Sequence, residues 1–82
     1  MLSRLFAFLR RKPADEGQSA AADLYKAAHG GDPEAQARLG AALERGEGVL
    51  RSPVDAVAWY RRAAEQGHAE AQFNLARLYL RG

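Results

Sequence analysis

From Ser19 onward, apolar and small residues recur every three to four positions, the spacing that gathers side chains on one side of an α-helix. Ala35, Leu39, Ala42 and Leu43 make one such stripe, and Ala71, Leu75, Leu78 and Tyr79 make another. Val57, Tyr60, Ala63 and Ala64 supply a facing surface from the segment between them. Polar signals punctuate these stripes. Asp32-Pro33-Glu34 reads as a helix start: Asp can cap, Pro suits the first helical position, and Glu complements the positive end of the helix dipole. That helix should run to about Arg45, where Gly46 can take the left-handed conformation that ends helices. Gly48 then frees the backbone for a turn from which Val49, and Leu50 with it, can tuck inward. Ser52-Pro53-Val54-Asp55 opens a second helix, close to a capping box, which continues through Trp59-Tyr60 to Gln66 and stops at Gly67. His68 begins the next first-type helix in the position where Asp32 stood, and residues 19–30 read as a second-type helix without its partner.

The pattern repeats at an offset of 36 residues. Ala22, Ala27, Ala28 and Gly31 return as Ala58, Ala63, Ala64 and Gly67. Glu34, Ala35, Gln36 and Leu39 return as Glu70, Ala71, Gln72 and Leu75, and Arg45-Gly46 as Arg81-Gly82. Ten identities thus fall within the 25 pairs from 22/58 to 46/82, which signals stacked supersecondary units. Gly40 and Ala76 sit at matching positions, where a small side chain lets the paired helix approach. The expected architecture is all-α: antiparallel helix-turn-helix units in the order B-A-B-A, with a half-unit at 19–31, a full unit at 32–67 and a half-unit at 68–82.

The strings that carry this pattern are Gly46-Glu47-Gly48-Val49, Asp55-Ala56-Val57-Ala58-Trp59-Tyr60, and Ala63 through Leu75 with its Gly-His-Ala-Glu-Ala-Gln run. At this spacing they resemble the Sel-1-like repeat family, relatives of the tetratricopeptide repeats, over roughly residues 20–82. The glycine-bearing loop and the 36-residue period separate them from ordinary tetratricopeptide repeats. Two departures stand out: Ser52 replaces a frequently acidic residue, and Asp23-Leu24 stands where Trp-Tyr would be expected. The resemblance implies a right-handed α-solenoid whose first-type helices line a concave protein-binding face, and it implies no catalytic residue. Gln36, Arg38, Gln72 and Asn74, polar positions flanking the apolar stripe, are the candidates for contact with a protein partner.

Composition and charge narrow the chemistry. The 82 residues include no cysteine, so neither disulfides nor a cysteine metal site can reinforce a thin core. The net charge of +2 divides into +4 over residues 1–13 (Arg4, Arg10, Arg11, Lys12) and −2 over the rest, so the body has no basic surface for nucleic acid. Arg61-Arg62 beside Trp59-Tyr60 reads as a solvated face next to a core tryptophan, not as a base-stacking site. His29 and His68 lie at helix boundaries with no acidic or histidine partner at i+4, which favours capping over metal binding or base catalysis. Gly46-Glu47-Gly48 lacks the Lys-Ser/Thr of a phosphate loop. No catalytic, cofactor or metal residue is nominated, and the chain reads as a non-catalytic cytoplasmic adaptor.

Residues 1–12 form a separate basic, apolar zone, joined through a polar linker at 13–18. On a helix, Leu2, Leu5, Phe6 and Leu9 share one face, and Arg10, Arg11 and Lys12 follow it. Such a helix fits packing against the uncovered side of helix 19–30, peripheral attachment to an anionic membrane surface, or an organellar targeting peptide. Membrane tethering through these residues is the alternative reading of the whole chain. At the other end, helix 69–80 carries Phe73, Leu75, Leu78, Tyr79 and Leu80 and expects a cover on its far side. Either the chain is a piece of a longer repeat protein, or two copies associate through this end.

Overall fold

The computed structural model describes residues 20–81, all in helices and their connections. The amphipathic zone with Leu2, Leu5, Phe6, Leu9, Arg10, Arg11 and Lys12, the linker at 13–18, Ser19 and Gly82 lie outside the described residues. Helix α1 covers residues 20–29, α2 Pro33–Arg45, α3 Pro53–Glu65 and α4 Ala69–Arg81. This is the B-A-B-A order read from the sequence, with α1 and α3 of the second type.

Local chemistry sets the boundaries. Asp32 accepts a hydrogen bond from the Glu34 N–H, and Ser52 accepts one from the Asp55 N–H, each followed by proline in the first turn. Gly46, at φ 76°, ends α2 by donating to the Ala42 carbonyl. The two short turns are copies of each other. Asp32 N–H reaches the Ala27 carbonyl and Gly31 N–H the Ala28 carbonyl, and His68 and Gly67 make the same bonds to Ala63 and Ala64. Both turns need a glycine at positive φ, Gly31 at 102° and Gly67 at 89°.

Helix α3 packs against α2 on one side and against α4 on the other, more extensively against α2. Among the described residues, six of the ten buried hydrophobic ones are alanines, so backbones approach closely around Leu39, Leu43, Trp59 and Tyr60. Gly40 makes the tightest approach, since a Cβ there would lie 2.8 Å from two ring carbons of Tyr60. Two expectations need correction. Val49 packs against the core but Leu50 is 91% exposed, because adjacent residues of an extended segment point to opposite sides. The Arg51 and Ser52 bonds back to the Glu44 and Leu43 carbonyls then hold that segment in place. Tyr79 shares the stripe of Leu75 and Leu78, yet it stands exposed, since no described helix covers the side of α4 equivalent to Leu43 on α2.

Candidate partner-binding face

The two first-type helices, α2 and α4, are tied across their adjacent sides by two side-chain links. Glu44 Oε1 accepts from the Arg77 guanidinium at 2.8 Å and from the Tyr60 hydroxyl at 2.9 Å, so one carboxylate joins α2, α3 and α4. Nearer the helix starts, His68 Nδ1 accepts from the Ala71 N–H and caps α4, which leaves the proton on Nε2 to donate to Glu34 Oε1 at 2.9 Å. The imidazole therefore does two jobs, capping its own helix and binding the preceding repeat.

These links shift the groups that make them. The hydrogen bond from Arg77 is the main cause holding the Glu44 carboxyl below its usual range, with Tyr60 adding to it against the opposing effect of burial. Glu34 is lowered first by its bond to His68 and then by Arg38. Burial, reinforced by the Glu44 carboxylate, pushes the Tyr60 hydroxyl up to about 12.

The repeat separates packing positions from free ones. Ala37 and Leu43 are buried on α2, and their counterparts Phe73 and Tyr79 are exposed on α4, so those positions are covered on one first-type helix and open on the other among the described residues. Glu34, Arg38 and Arg45 are exposed on α2 although α3 and α4 are in place. With their counterparts Glu70, Asn74 and Arg81 they outline the surface that stacking leaves open, where Glu34 also meets His68 of the next repeat.

The four contact candidates divide along this line. Arg38 is exposed and meets Glu34 at 3.2 Å, a surface pair too weak to sequester the guanidinium. Its counterpart Asn74 is half-buried beside Arg77 on the same face. Gln36 is buried, 4% exposed, and does not face a partner. Its amide donates to the Ala28 carbonyl at 3.0 Å and its carbonyl accepts from Gln66 at 2.9 Å, so it seals one helix pair to the next. Gln72 repeats the first of these bonds, to the Ala64 carbonyl at 3.1 Å, and is exposed because α4 is uncovered.

No signal in the sequence marks Glu44 and Arg77. Their repeat counterparts are Leu80 and Ala41, so periodicity hides the pair. The Glu34–His68 link leaves no local signal in the sequence, because its partners are 34 residues apart. Among the described residues, no cluster of His, Cys, Asp or Glu could hold a metal ion, and no helix is long and apolar enough to cross a membrane.

Comparison with known proteins places this geometry. The Sel1 repeat profile matches residues 33–68 and 69–82. Chitin synthase regulatory factor 3 of Schizosaccharomyces pombe is 44% identical over 62 residues, covering 73% of this chain. The chain spans 7% of that protein's length. No solved structure matches.

Proposed function

The chain belongs to the Sel1 repeat family, and from that premise we propose that it is a non-catalytic scaffold that holds another protein on the α2–α4 face, through Arg38 and Asn74. The observation that carries this reading is their placement. They occupy equivalent positions on successive first-type helices, and Arg38 stays exposed with α3 packed on its own helix and α4 packed on α3. Such a row can lengthen with each added repeat without disturbing the core. Arg45 and Arg81 extend the row at its far end, and Glu34 and Glu70 at its near end.

The test is photo-cross-linking in the cells that make the protein. A photoreactive residue at position 38 or 74 is expected to label the same partner polypeptide, and one at Ala58 or Glu65, exposed on α3, is expected not to label it. Equal labelling from both sides, or labelling from α3 alone, would refute the face.

A further inference from the structure

We propose that the outer side of α4 is a seat for α1 of a second copy, so that copies stack head to tail and continue the repeat across the junction. The internal α2–α3 contact shows what such a junction requires. There Gly40 admits the Tyr60 ring, Glu44 accepts from the Tyr60 hydroxyl, and fully buried Ala56 comes from the same side of α3 as Tyr60. One repeat along, the α4 counterparts of Gly40 and Glu44 are Ala76 and Leu80. One repeat back, the α1 counterparts of Tyr60 and Ala56 are Leu24 and Ala20.

The substitutions match across the two ends. Where the internal pair is carboxylate and phenol, the junction pair is Leu80 and Leu24, both apolar. Where a flat ring demands glycine, the narrower Leu24 faces Ala76. An acid left at position 80 or a tyrosine at position 24 would bring an unpaired polar group to the junction, and neither is present. The exposures agree. Leu80 is 88% and Phe73 67% exposed on α4. On the other end, two grooves of about 280 and 200 Å3 run between α1 and α2, and Ala20 and Leu24 line both. This is where the preceding first-type helix would lie by repeat symmetry. The contact is heterologous, each copy offering α4 to one neighbour and α1 to another, so a dimer still presents one free α4 and one free α1 to further copies.

The experiment is light scattering after size exclusion on the full chain over a range of concentration, with helicity checked by circular dichroism. The mass is expected to climb through successive multiples of the monomer. Ala20→Glu and Leu80→Glu alter exposed residues, and each alone should give a folded monomer. Mixed in equal amounts they should form a complex of two chains that grows no further, since one retains a working α4 and the other a working α1. Rebuilding the internal contact with Leu24→Tyr, Ala76→Gly and Leu80→Glu together should restore the ladder that Leu80→Glu abolished. A monomer at every concentration overturns the proposal, whether residues 1–12 cover α1 or α4 needs no cover. A mass that saturates at two copies, insensitive to Ala20→Glu, also overturns it, because it points to α4 pairing with α4.

Discussion

Trp59 shows how much one side chain carries in a core made mostly of alanine. Its ring meets His29 edge-on with centroids 4.9 Å apart, and the Arg62 guanidinium lies 4.7 Å from its centroid. It therefore closes the seam between α1 and α3 while a cation shields it from water. Trp59→Ala should cost about 3–5 kcal/mol, comparable with everything a domain this small has. Arg61, two residues on, is exposed and only reaches the Tyr79 hydroxyl. Arg61→Ala should stay within about 0.5 kcal/mol. Thermal melts read both: loss of the cooperative transition for the first, a near-unchanged midpoint for the second. Equal melts for Trp59→Ala and the unsubstituted chain would remove Trp59 from the core.

At the scale of elements, the distance between α2 and α3 is set where Gly40 faces Tyr60. Alanine is the better helix former by about 1 kcal/mol, so an open site would gain from Gly40→Ala. Here the added methyl would lie 2.8 Å from ring carbons that cannot swing away, since Tyr60 is 1% exposed and its hydroxyl is held by Glu44. Overpacking of this kind costs about 1–3 kcal/mol, so steric conflict outweighs propensity and the variant should be less stable. The sign is the test. Adding Tyr60→Leu should recover part of the loss, because leucine at this register is what the Ala76 and Leu24 pairing implies. A double-mutant cycle in urea should show a favourable coupling of at least about 0.5 kcal/mol, and strict additivity would mean the two positions do not conflict.

For the whole molecule, the links between repeats make stability depend on pH at both extremes. Glu44 and Glu34 have folded values below the ordinary 4.5. A lowered acid contributes fully above its unfolded value, and that contribution is lost as pH falls through the folded value. Urea midpoints should therefore hold from neutrality to about pH 5 and drop below about pH 4, less steeply in Arg77→Gln, which takes away the main cause of the Glu44 shift. Tyr60 works in the opposite direction. Its folded value is raised from 10.0 to about 12, so its contribution is complete below 10 and disappears as pH rises toward 12. Ultraviolet titration should show one late tyrosine that becomes ordinary on unfolding, and Tyr60→Phe should abolish it. An acid limb as steep in Arg77→Gln as in the unsubstituted chain would break the link to Glu44.

What this chain determines by itself is local. Asp32-Pro33, Ser52-Pro53, Gly46 and Gly67 satisfy or release backbone groups within a few residues, so each helix end was legible without a partner. The 36-residue recurrence was legible because stacked units face the same packing problem and reuse the same residues. Tertiary structure alone decided which polar residues are free. Gln36 and Arg38 are two positions apart with the same polar character, yet one seals a buried carbonyl and the other faces solvent, according to which neighbouring helix lies over it. Glu44 and Arg77 came together for the same reason, across 33 residues and outside the repeat. The helix period assigns a side chain to a face, but burial is a property of two faces, and only the packed fold brings the second one into place.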